Sequence, residues 1–117
     1  MAAPVRIVNE TRSAVLATEA EVADSFWTRF RGLLGRTGLA EGGGLVIAPC
    51  SSVHMLGMRF ALDALYLDTD GAVVRSVPNL RPNRLGPLVR RTRTVIELPA
   101  GTIAATGTAE GDRITVK

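Results

Sequence analysis

The chain of 117 residues has the length of one domain, enough for a single hydrophobic core and too little for two. Apolar residues make up 46% and charged residues 21%, which excludes a disordered chain, and no run approaches the roughly 20 apolar residues that span a bilayer. The net charge of +3 is carried almost wholly by arginine, thirteen Arg against the one Lys117, and the single cysteine, Cys50, excludes an intrachain disulfide.

In chain order, VRIV at 5–8 and VLATE at 14–18 are short β-prone runs around a turn-like Asn9–Ser13, and they read as a hairpin. The next segment, ADSFWTRFRGLLGR, opens with Asp24 or Ser25 as a helix cap. Phe26, Phe30, Leu33 and Leu34 follow near helical spacing, and Gly35 supplies a stop. Glu41-Gly42-Gly43-Gly44 reads as a flexible break; it lacks the G-K-[ST] of a phosphate loop. Leu45–Ala48 is a buried-type strand ended by Pro49, which has no N–H to give a ladder.

Leu62–Leu67 and Ala72–Val77 flank Asp68-Thr69-Asp70-Gly71, a strong hairpin signal. Residues 78–93, PNLRPNRLGPLVRRTR, read as a loop rich in Pro, Asn, Gly and Arg. Thr94–Leu98 is a further strand closed by Pro99-Ala100-Gly101, Thr102–Thr106 a short helical turn, and Arg113–Val116 a last strand. The pattern predicts one domain over 1–117, mainly β (α+β the alternative): a compact barrel or sandwich of six to seven short strands with one packed helix.

Several of these segments, taken together and in order, resemble the bacterial and archaeal family called domain of unknown function 192. The matching pieces are Arg31–Arg36 (RGLLGR), His54–Asp68 (HMLGMRFALDALYLD), Asp70-Gly71, Glu97–Gly101 (ELPAG) and Gly111-Asp112, in a resemblance that covers about residues 14 to 116. The resemblance implies a small mainly-β fold with one helix carrying RGLLGR, and it implies no activity. In the family's commoner pattern an aromatic pair and Met-Lys-Asn-Thr occupy the central motif. This chain instead reads CSSVHMLGMRF from Cys50, similar to a subgroup with the PC…H…MRF form.

The chemically loaded segment is Pro49–Asp63. Cys50 and His54 are each unique and four residues apart. On a strand that spacing leaves them about 13 Å apart; only a turn brings them together. Paired, they are candidates for a thiolate nucleophile and its base, with Asp63 as orienting group. Packed, they are a buried thiol and a satisfied imidazole, the more usual fate of each. Structural zinc wants four Cys or His ligands and the chain has two, so neither a metal nor any other cofactor is expected.

Arg59 and Asp63 share a face in either geometry, and the plainer expectation is an ion pair that locks a strand crossing. In the functional version Arg59 grips an anionic ligand with Asp63 beside it, and Met55 and Met58 form an adaptable apolar wall. From Arg75 to Arg93 there is no Asp or Glu, but there are six arginines: Arg75, Arg81, Arg84, Arg90, Arg91 and Arg93. Such a loop is an electrostatic footprint, although it lacks the aromatic platforms or groove-reading helix of nucleic-acid binders.

The reading favoured is an uncharacterised, non-enzymatic binding or accessory domain. Its pocket would lie near residues 49–63 with the arginine loop at the rim, and a small anionic ligand or acidic protein as partner. The alternatives are a thiol-dependent enzyme using Cys50 and His54, and nucleic-acid association through the arginine loop. Reducing conditions in the cytoplasm are the expected setting, since Glu10 and Arg12 break the N-terminal run before it reaches signal-peptide length.

Overall fold

The computed structural model describes residues 3–23, 36–52, 55 and 58–117. The expected helix between Asp24 and Gly35, and His54, lie outside the described residues. Among the described residues there are seven strands: β1 Val5–Asn9, β2 Ala14–Ala23, β3 Gly43–Ile47, β4 Leu62–Leu67, β5 Val73–Leu80, β6 Thr94–Pro99 and β7 Ile114–Val116. A short helix, α1 Thr102–Thr106, follows β6.

The strands form one curled sheet in the order β5-β4-β6-β3-β2-β1-β7. All neighbours are antiparallel except β2 and β3, which run parallel with Glu19 to Ala23 beside Gly43 to Ile47. The mainly-β expectation thus takes the form of a half-barrel. Its two edge strands approach at one end, where Ala72 bridges Arg113. Three backbone bonds reinforce that closure: Val73 N–H to Asp112 O at 2.8 Å, Gly111 N–H to Val73 O at 2.8 Å and Ile114 N–H to Gly71 O at 2.8 Å. Gly71 is required there: its φ is +84°, and a Cβ would stand 2.7 Å from the Ile114 carbonyl oxygen.

The hairpin predicted at 68–71 forms as read, with Asp68 Oδ1 accepting from the amides of Asp70 (2.9 Å) and Ala72 (3.0 Å). Gly43 and Gly44, expected in a flexible break, instead open β3. A side chain at Gly44 would meet Glu97 O and Leu98 Cδ2, each at 3.2 Å, so the small residue permits the close approach of β6. β5 takes Pro78, Asn79 and Leu80 from the expected loop. It is an edge strand, where the missing proline N–H leaves no ladder bond unmade.

Alternation along the strands sends apolar side chains to two faces. The concave face gathers Ile7, Leu16, Val46, Leu65, Ile96, Leu98 and Ile114 from strands across the whole sheet, and Ile103 of α1 packs against them. The other face carries Leu45, Ile47, Leu62, Ala64, Tyr66 and Val95, covered by Met55 and Met58 with Cys50 and Phe60 alongside. All six residues of β4 are buried, because the strand lies between β5 and β6 with apolar clusters on both faces.

Buried polar groups pin the closing end. Asn9 Nδ2 donates to Asp112 Oδ2 at 2.9 Å and to Thr108 Oγ1 at 3.1 Å, and Arg12 Nε reaches Asp112 Oδ2 at 2.6 Å. The Asn9 side chain, then Arg12 and the Ala109 amide, hold the Asp112 carboxyl down to about 2, from 3.8. A depressed carboxylate gives stability that is full above its unfolded value and fades as pH falls through the folded one. Asp112→Asn is therefore expected to erase the acid decline in melting temperature between pH 3.8 and about 2. An unchanged decline in that window would contradict this.

Candidate functional site

Cys50, Met55, Met58 and Phe60 lie on the face opposite α1, and Cys50, Ser51 and Met55 are laced to the arginine-rich loop in antiparallel order. Cys50 N–H donates to Arg93 O at 3.0 Å, Val89 N–H to Ser51 O at 3.2 Å, and Met55 N–H to Arg84 O at 2.8 Å. Asn83 N–H returns to Met55 O at 2.7 Å, while Arg93 N–H reaches Leu67 O of β4 at 2.8 Å. The buried Tyr66 adds a side-chain tether, its hydroxyl donating to Pro87 O at 2.8 Å. The loop read from sequence at 78–93 is thus tied by backbone bonds at Asn83, Arg84, Val89 and Arg93.

The residues singled out from sequence separate onto different surfaces. Met55 and Met58 are core, 0% and 8% exposed. Arg59 is exposed. Asp63 is 0% exposed, and its carboxylate accepts from the amides of Asn79 (2.8 Å), Gly101 (3.2 Å) and Ile103 (2.8 Å). It ties β4 to β5 and to the start of α1, on the opposite face from Met55 and Met58. Among the described residues no ion pair joins Arg59 to Asp63. The four-residue spacing misleads because β4 begins only at Leu62, so Arg59 precedes the strand that aims Asp63.

Cys50 is half-buried, and its thiol donates to Ser52 O at 3.0 Å. The thiol-enzyme reading needs His54, which lies outside the described residues. Among the described residues no group of three or more His, Cys, Asp or Glu is placed to hold a metal ion.

Arg59, Arg75, Arg81, Arg84, Arg90, Arg91 and Arg93 are all exposed. The ion pairs among the described residues lie elsewhere, at Arg12–Asp112, Arg36–Glu21 and Lys117–Glu10. None of these seven guanidinium groups has an acidic partner among the described residues. A cleft of about 690 Å³ lies between the start of β2 and α1, and among the described residues Glu41 is its one charged lining residue. It offers an anion no such attraction.

Sequence reasoning missed one residue. Glu97 of β6 is 4% exposed and faces the Met55 side of the sheet, in register with Leu45 of β3 and Ala64 of β4. Burial pushes its carboxyl up to about 7. The signal was available: an acid in the middle of the buried-type run Thr94-Val95-Ile96-Glu97-Leu98.

With the fold and these surfaces in view, the match of residues 7–116 to the family model described as Uncharacterized ACR, DUF192, decides the kinship. The chain belongs to the DUF192 family. A UPF0127 protein of Thermococcus gammatolerans is 33% identical over 113 residues, 92% of this chain and 72% of that one. The UPF0127 protein of Pyrococcus furiosus is 31% identical over 113 residues, 92% and 95% of the two chains. The crystal structure of a protein of unknown function from Novosphingobium aromaticivorans superposes with a TM-score of 0.82. Its identity is 24%, covering 96% of this chain and 83% of that chain. That likeness shows the fold alone. Among the described residues no helix is long and apolar enough to cross a membrane.

Proposed function

We propose that this chain is a single-domain, non-enzymatic binding protein of the cytoplasm that engages an anionic partner. The contact surface is the basic face built from Arg59 and residues 75–93, with Arg59, Arg75, Arg81, Arg84, Arg90, Arg91 and Arg93 as its charged groups.

One observation carries this reading: seven exposed arginines with no acidic partner among the described residues, on segments laced together by backbone bonds. A charge answered within the fold would serve stability. A charge left unanswered on a fixed frame repels its neighbours in the free protein and is relieved when an anion arrives. Fixing the loop beforehand also removes much of the ordering cost of binding. The arginine fork suits carboxylate and phosphate groups alike.

Heparin fragments serve as a polyanion probe. Wild-type protein should bind them with an affinity that falls steeply as salt rises. Arg90→Ala/Arg91→Ala/Arg93→Ala should lower the affinity at low salt about tenfold or more and flatten the salt dependence, with melting temperature unchanged. Arg59→Ala should weaken binding in the same direction. Equal binding by wild type and the triple variant would refute the basic face.

A further inference from the structure

The basic loop carries a second feature, which deepens the reading above and rests on it. Leu85 and Leu88 are 71% and 78% exposed, the two most exposed large apolar side chains among the described residues. They stand between Arg84 on one side and Arg90 and Arg91 on the other. Loose backbone does not account for their exposure. The carbonyl of Arg84, just before Leu85, accepts from Met55 N–H at 2.8 Å. The carbonyl of Pro87, just before Leu88, accepts from the Tyr66 hydroxyl at 2.8 Å, and Val89 N–H just after it donates to Ser51 O at 3.2 Å. Neighbouring apolar residues of the same stretch turn inward: Leu80 joins the cluster around Tyr66, and Val89 packs against it. The fold therefore holds two leucines out of a core that takes in those before and after them.

We propose that Leu85 and Leu88, with the arginines around them, form a docking surface for an anionic lipid bilayer. Charge complementarity selects the partner. A second copy of this chain would bring the same unpaired arginines against each other, so self-association through this face is opposed. A nucleic acid satisfies the arginines but has no apolar layer for aliphatic side chains, and the loop has no aromatic residue to stack on bases. An anionic membrane surface satisfies both at once. Headgroup phosphates meet the guanidinium forks, and the acyl boundary below accepts leucines without needing a shaped pocket. The arrangement is a loop counterpart of an interfacial amphipathic helix, with its apolar side chains and basic rim already fixed.

The test is flotation with vesicles of phosphatidylcholine alone and of phosphatidylcholine mixed equally with phosphatidylglycerol, beside the heparin assay. Wild-type protein should float with the anionic vesicles only, and should be released in about 1 M salt, where the screening length is roughly 3 Å. Leu85→Ser/Leu88→Ser should partition to anionic vesicles at least about tenfold more weakly while binding heparin as before. Arg90→Ala/Arg91→Ala should weaken both. Because both leucines are exposed, their replacement leaves the core intact, and an unchanged melting temperature verifies this. Equal flotation of wild type and the leucine pair overturns the proposal. Heparin binding without any flotation also overturns it, pointing to a polyanionic macromolecule and leaving the basic face standing. Binding to neither probe removes the basic face and the membrane surface together.

Discussion

Asp63→Ala is expected to destabilise the fold by roughly 3 kcal/mol. The wild-type carboxylate accepts from the amides of Asn79, Gly101 and Ile103 at 2.8, 3.2 and 2.8 Å. Removing it strands these donors unequally. Gly101 and Asn79 are exposed residues, so water can replace the lost acceptor for those two amides. The Ile103 bond is buried and its amide has no substitute, which costs about 1–3 kcal/mol by itself. Asp63→Asn keeps one acceptor oxygen but turns an NH₂ toward N–H donors, so it should recover little of the loss. A denaturant titration checks both, through a fall in midpoint at constant m-value. A loss below about 1 kcal/mol for Asp63→Ala would show that these bonds contribute little net stability.

The second large effect runs the other way. Glu97 titrates at about 7 in the folded protein against 4.5 for the ordinary carboxyl, because burial disfavours its charge. The folded state therefore holds a proton that the unfolded state releases between those values, and stability must fall as pH rises through this window. The shift corresponds to about 3 kcal/mol, complete once pH exceeds the folded value. Glu97→Gln should match wild type near pH 4.5 and exceed it by up to about 3 kcal/mol at pH 8, with no slope between. Asp112 has the opposite sign, but its window lies lower, from 3.8 down to about 2, so the two effects separate on one curve. A wild-type stability that stays flat from pH 5 to 8 would contradict the burial of an ionisable Glu97.

These two acids also mark where sequence reading succeeds and where it stops. The Asp68–Gly71 hairpin was legible because its causes are local: a side chain bonding its own turn and a glycine at positive φ. The strands near 5–8, 62–67 and 94–98 were legible for the same reason, β-prone runs between turn residues. Gly43 and Gly44 were misread because composition signals flexibility, while their place in β3 is set by how closely a strand fifty residues away must approach. The Arg59–Asp63 spacing suggested a pair, but the partners of Asp63 are amides at 79, 101 and 103, which no local pattern reveals. The arginine loop was visible as a run of charge. That the loop is laced to Cys50, Ser51 and Met55, with Leu85 and Leu88 held outward, is a property of the assembled sheet.

The closure of the half-barrel bears on how the chain reaches this state. β7 adds to β1, setting Ile7 beside Val116, and the residues just before β7 bridge to Ala72 at the start of β5. One short terminal strand thus joins the two ends of the sheet, by contacts that span most of the chain. Long-range closure of this kind gains nothing until the intervening strands are in place, so it belongs to the late part of folding. Until then β1 and β5 present unpaired backbone edges, the usual route by which β-sheets recruit a second chain. A nascent or partly unfolded molecule is accordingly most prone to aggregate in the interval before its last strand docks.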